Sequence, residues 1–210
     1  MVAAALTLGM LVGCASPGAR NTVEATDARV SFYGDSYTRG KAASDYSMRW
    51  SSIVSEMRGW EEINHGIDGL GFVRRRDEFP DVPGDVIADD PDIVIVALGI
   101  NDNFIFESRG DEIQPQIDAD FDRLARELPD ARIVVVEPFW YTKVRPDSVA
   151  AIIGWVRSAA EAEGFEYISG ASHWLDGHPE WMADDALHPN DAGYAEIARH
   201  MDEELRALGL

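Results

Sequence analysis

The amino-acid sequence predicts one three-layer α/β/α domain, a parallel sheet with helices on both faces. Short apolar runs alternate along the chain with stretches of helical periodicity, the order that builds parallel strands and crossover helices. Two runs, PDIVIVALG (Pro91–Gly99) and ARIVVVEP (Ala131–Pro138), are unbroken, as in strands buried on both faces. The 210 residues are 46% hydrophobic, enough for one real core, and show neither an internal repeat nor a second domain.

The elements follow in order. Arg29 to Tyr33 is a short apolar strand. Tyr46 to Arg58 has helical spacing, with Met48, Trp50, Ile53, Val54 and Met57 on one face. Glu61 to Asn64 reads as a second short strand, and the run after Pro91 as the third. Ile113 to Leu128 is helical, and the run from Ala131 is a strand that stops at Pro138. Ser148 to Glu163 is helical, FEYIS (Phe165–Ser169) is a strand, and Asp191 to Leu208 is a closing helix. Successive parallel strands imply right-handed crossovers.

Residues 1–13 read as a signal peptide, 14–28 as a small, polar tether, and 29–210 as the folded domain. The apolar stretch from Val2 to Gly13 is too short to span a bilayer. It ends in Leu11-Val12-Gly13-Cys14, which resembles the bacterial lipoprotein box, although no Lys or Arg precedes it. That resemblance implies cleavage before Cys14, lipid on its sulfur, and an extracytoplasmic protein anchored to the bacterial cell membrane. Cys14 is the only cysteine, so an internal disulfide is excluded. The net charge of -20 argues against a nucleic-acid partner. Arg74, Arg75 and Arg76 form the one basic cluster, read as a solvated loop or helix face.

Ligands of parallel sheets bind at the carboxyl ends of the strands. Gly34-Asp35-Ser36 follows the first strand, NHGIDGLG (Asn64–Gly71) the second and GIND (Gly99–Asp102) the third, while DDALHPN (Asp184–Asn190) precedes the last helix. These four segments resemble the ordered motif blocks of the SGNH (GDSL-type) hydrolases. The matching positions are Ser36, Gly69, Asn101, Asp185 and His188, and the blocks span Gly34 to Asn190. The resemblance implies a flavodoxin-like strand order and a metal-independent, cofactor-free serine esterase acting through an acyl-serine. Ser36 would be the nucleophile, His188 its general base and Asp185 the residue that orients the imidazole. The oxyanion would be held by the N–H groups of Ser36 and Gly69 and the Asn101 amide.

The second block departs from the family pattern at Asp68-Gly69-Leu70-Gly71, which leaves Gly66 and Gly71 as alternatives to Gly69. Tyr37 stands where the family usually has leucine. Asp35 is expected to serve a turn, and Asp102 to cap the segment after its strand. Trp140, after the fourth strand, and Trp174, beside the histidine-rich segment, are candidate substrate-binding rings. The expected substrate is an O-acetyl or short-acyl ester of a carbohydrate or lipid. Two alternatives stand beside this reading: a metal-dependent hydrolase using the His173, Asp176 and His178 region, and a catalytically silent, lipid-anchored binding protein.

Overall fold

The computed structural model describes residues 27–141 and 143–210. Cys14, the signal peptide and the tether as far as residue 26 lie outside the described residues. The last expected tether residue, Ala28, belongs to the domain: it is buried, and its carbonyl accepts from Glu61 N at 2.9 Å.

Among the described residues, five strands form one parallel sheet: β1 Arg29–Gly34, β2 Glu61–Gly66, β3 Ile93–Ala97, β4 Arg132–Val136 and β5 Glu166–Ile168. Their spatial order is β2-β1-β3-β4-β5, the flavodoxin-like order the resemblance implied. The helices are α1 Ser36–Arg39, α2 Trp50–Arg58, α3 Val82–Ala88, α4 Phe106–Glu127, α5 Asp147–Glu163 and α6 Asp191–Ala207. Alternation along the strands splits the core in two. Val30, Phe32, Ile95 and Val134 face the layer that holds α2 and α6. Tyr33, Val94, Val96 and Val135 face the layer that holds α3, α4 and α5. Among the described residues, no helix is long and apolar enough to cross a membrane.

Four elements differ from expectation. The helix expected from Tyr46 breaks at Arg49, whose ψ of 149° is extended; a 3₁₀ turn, Tyr46–Met48, precedes α2. The helix expected from Ile113 starts at Phe106 and kinks at Arg109 (φ -140°, ψ 22°). The short helices α1 and α3 were not foreseen, α3 because Pro83 and Gly84 stand in its first turn.

The register matters most for function. Gly34, the last residue of β1, pairs with Gly66 on one side and Ala97 on the other. The loops that leave these three strands therefore emerge side by side at one sheet edge.

Candidate active site

Ser36 is the first residue of α1, immediately beyond the end of β1. Asp35 makes the turn between them: its Oδ1 accepts from Tyr37 N at 2.9 Å and caps the helix. Burial outweighs that hydrogen bond and pushes the Asp35 carboxyl up to about 7.

His188 comes from the loop before α6. Its Nε2 lies 3.0 Å from Ser36 Oγ and its Nδ1 lies 2.6 Å from Asp185 Oδ2. Asp185 Oδ1 accepts the N–H groups of Leu187 and His188, both at 2.9 Å. Partial burial raises the Asp185 pKa, but hydrogen bonds from the His188 backbone and ring and from Leu187 N outweigh it and hold the carboxyl at about 2. An ionised carboxylate only accepts, so Nδ1 carries the imidazole hydrogen and Nε2 is left to accept from Ser36. The loop itself is braced: Ala183 N donates to His188 O at 2.8 Å, and Asn190 Nδ2 donates to Glu180 O and Met182 O at 2.8 and 3.1 Å.

Tyr37 adds a brace that sequence reasoning placed only in the packing. Its hydroxyl donates to Leu187 O at 2.6 Å, and its ring stacks on Phe139 with centroids 5.6 Å apart. The helix that carries the serine is thereby tied to the loop that carries the histidine. The departure from leucine at this position was the available signal.

The second and third blocks meet beside Ser36. Contrary to expectation, Asp102 does not cap its own segment. Its buried carboxylate crosses over and accepts from Phe72 N (2.7 Å), Val73 N (2.9 Å) and Arg74 N (3.0 Å). Gly71 permits this approach, since a Cβ there would lie 2.4 Å from Asp102 Oδ1. Asn101 Nδ2 donates to Leu70 O at 2.9 Å, leaving its second hydrogen without an acceptor among the described residues. Of the three candidate glycines, Gly66 spends its N–H on Asn64 Oδ1 and Gly71 on Arg74 O, both at 2.9 Å. The Gly69 N–H has no acceptor among the described residues, and its φ of +76° disfavours any side chain. The Ser36 N–H begins a helix, where a backbone donor has no partner within the helix.

The arginine run is not a solvated face. Arg74 Nη1 donates to Gly69 O at 2.8 Å and to Asn101 Oδ1 at 3.2 Å. Arg75 reaches Asp68 O, and Arg76 donates to Tyr33 Oη (2.5 Å) and Asp120 Oδ2 (2.8 Å). All three guanidinium groups fold back onto the loop or the layer beneath it.

Neither tryptophan lines the open cleft beside α1, and Trp174 packs on Phe139, whose ring stacks on Tyr37. Trp140 is 2% exposed, and its Nε1 donates to Lys143 O at 2.9 Å, so its ring belongs to the core. Trp174 stacks on His200 (5.1 Å, 12°), a residue in the middle of α6. That cleft, of about 390 Å³, lies against the carboxyl end of α1, lined by Arg39, Lys41, Ser44, Tyr46 and Asp68. Asp68 pairs with Arg39 at 3.0 Å, and Tyr46 is 60% exposed.

The proposed metal donors are engaged elsewhere. Arg145 Nη2 lies 2.6 Å from His173 Nδ1 and 2.8 Å from Asp176 Oδ2. His178 pairs with Glu180 at 2.8 Å and stacks on Trp181 at 3.7 Å. Among the described residues, no three such side chains are grouped to hold one ion.

A serine, histidine and carboxylate stand in hydrogen-bonded sequence at the carboxyl edge of a parallel sheet, an arrangement that can activate the serine for acyl transfer. The chain matches the GDSL-like Lipase/Acylhydrolase family over residues 32–196 and belongs to it. It is 26% identical over 208 residues to the GDSL lipase Rv0518 of Mycobacterium tuberculosis (strain ATCC 25618 / H37Rv), across 92% of this chain and 89% of that protein. Among solved structures it resembles the psychrotrophic esterase EstA of Pseudoalteromonas sp., with a TM-score of 0.67 and 16% identity over 87% of this chain and 98% of that one. It also resembles Axe2, an acetyl xylan esterase of Geobacillus stearothermophilus, with a TM-score of 0.64 and 22% identity over 85% and 94%. The protein is a carboxylic ester hydrolase.

Proposed function

We propose that this enzyme removes acetyl or other short acyl groups from a hydroxylated alcohol, a carbohydrate above all, through an acyl-Ser36 intermediate. The observation that carries the chemistry is the Ser36–His188–Asp185 chain at 3.0 and 2.6 Å. Ser36 Oγ attacks the ester carbonyl carbon while its proton passes to His188 Nε2. The negative charge that forms on the carbonyl oxygen meets the N–H groups of Ser36 and Gly69 and the Asn101 amide. Collapse breaks the bond to the alcohol, which takes the proton from His188 as it leaves. Water then gives a proton to His188 and attacks the acyl-serine; collapse frees the acid and returns the proton to Ser36.

The cleft beside α1 supports the choice of substrate. Its lining offers a guanidinium, an ammonium, two carboxylates and two hydroxyls but little apolar wall beyond two alanines and the Tyr46 ring. Long acyl chains need apolar surface, whereas a sugar needs polar partners and a ring to stack on. Tyr46, exposed and backed by the Arg49 guanidinium 5.2 Å from its centroid, can serve as that ring.

Aryl esters of increasing acyl length, assayed beside acetylated sugars, test this reading. The expected result is kcat/KM highest for acetyl and at least ~10-fold lower for octanoyl. Tyr46→Ala should lower kcat/KM for the acetylated sugar and leave aryl acetate unchanged. A rate that climbs with acyl length would overturn the substrate assignment. We also propose that lipid on Cys14 anchors the enzyme outside the cytoplasm, supported by the apolar leader that ends at the only cysteine.

A further inference from the structure

We infer that Arg74 positions the oxyanion hole, acting through Asn101 and Gly69. The inference rests on the reading of those two residues as oxyanion donors.

One guanidinium nitrogen, Arg74 Nη1, spans two groups from different loops. It donates at 2.8 Å to the carbonyl of Gly69 and at 3.2 Å to Oδ1 of Asn101. A carboxamide can sit either way round, and its orientation decides whether it offers an oxygen or a donor to the substrate. Here a permanent cation draws the oxygen to one side, and Leu70 O takes one amide hydrogen at 2.9 Å. The second hydrogen is the one left for the substrate. The same cation withdraws electrons from the amide and so strengthens that remaining N–H as a donor. On the other loop, the bond to Gly69 O fixes the peptide that follows the glycine, while Arg75 holds Asp68 O in the peptide that carries the Gly69 N–H, so the glycine is restrained from both sides.

Arg74 is not needed simply to close the loop. Its backbone N–H is already bound by Asp102 at 3.0 Å, and its carbonyl accepts Gly71 N at 2.9 Å. Those bonds survive loss of the side chain. The guanidinium adds the link between the two donors. It packs over the ring of Phe104, 5.9 Å from its centroid, which holds the side chain on this side of the loop.

The test is a double-mutant cycle in the full chain. Arg74→Met should lower kcat ~10- to 100-fold, short of the 10²–10³ that loss of a whole oxyanion donor costs. KM should stay within about threefold, because the charge exists only in the transition state. In an Asn101→Ala background the same change should cost at least about threefold less than it does in wild type, since of the two donors it acts through only Gly69 remains. Equal losses in both backgrounds, or a kcat within threefold of wild type for Arg74→Met alone, would overturn the inference. Should Arg74→Met fail to fold, Arg74→Gln keeps a polar side chain but removes the charge and carries the same cycle. Ser36→Ala, run in parallel, separates the two levels: if it keeps turnover, the serine-hydrolase mechanism fails, and if it loses turnover while Arg74→Met does not, only the role of Arg74 fails.

Discussion

Asp185→Asn should damage this enzyme more than Asp185→Ala, although asparagine is the closer isostere. Two backbone donors decide the matter. The N–H groups of Leu187 and His188, each 2.9 Å from Asp185 Oδ1, require an acceptor at that position. An amide placed there keeps its oxygen toward them and turns its NH2 toward His188 Nδ1. Flipping it would leave two backbone donors without a partner, at about 1 kcal/mol each and so roughly 2 kcal/mol in all, a ~30-fold preference. With NH2 facing Nδ1, the imidazole hydrogen moves to Nε2, which then donates to Ser36 Oγ instead of accepting from it. The base is in the wrong tautomer, an effect on the order of 10⁴ in kcat where it has been measured in a Ser-His-Asp enzyme. Alanine forces no tautomer. It removes the charge that stabilises imidazolium, worth about 2–3 kcal/mol, or roughly 10²-fold. Initial rates on an aryl acetate, with melting temperatures on the same preparations, give both numbers. An asparagine variant as active as the alanine variant would refute the tautomer argument.

Other expectations follow from the same geometry. Tyr37→Phe keeps the ring but leaves Leu187 O without its 2.6 Å donor, which should cost about 1 kcal/mol and roughly 2–4 °C in Tm; an unchanged Tm would show the hydroxyl to be idle. Burial raises the Asp35 carboxyl from its ordinary value to about 7, so the folded state favours its neutral form; stability from this group is present below about 4 and lost as pH rises to about 7. Asp35→Asn, which retains a capping side chain, should therefore lose less Tm than wild type between those limits, and parallel curves would contradict the assignment. Labelled fatty acid should enter the wild-type protein in a bacterial host and not Cys14→Ser; equal labelling of both would refute lipidation at that sulfur.

The strands that carry the site could be read from the sequence because their apolar runs are long and unbroken. Ile93 to Ala97 and Arg132 to Val136 are covered on both faces by helices, so nothing polar interrupts them. The hydrogen-bonded chain of Ser36, His188 and Asp185 was legible because Asp185 and His188 are three residues apart and Ser36 stands at a strand end. What was not legible depended on side chains that cross between loops. Asp102 and Arg74 look like a cap and a surface cation, and only the fold shows that they bond to one another's segments. Trp140 was misplaced for a related reason. A position after a strand specifies the edge of the sheet but not whether the chain then turns inward, and Phe139, Trp140 and Tyr141 all turn into the core. Helix α4 starts earlier than expected because Gly110 interrupts the helical pattern of its first turns.

Covalent labelling tests Ser36 as the nucleophile most directly. An organophosphonate reacts with an activated serine and mimics the tetrahedral species, so one adduct should form per chain as hydrolysis is lost in proportion. Mass analysis of the peptide should place that adduct on Ser36, and Ser36→Ala should neither take the label nor hydrolyse an aryl acetate. Full activity in a protein exposed to excess phosphonate, or inactivation with the adduct on any other residue, would contradict the mechanism.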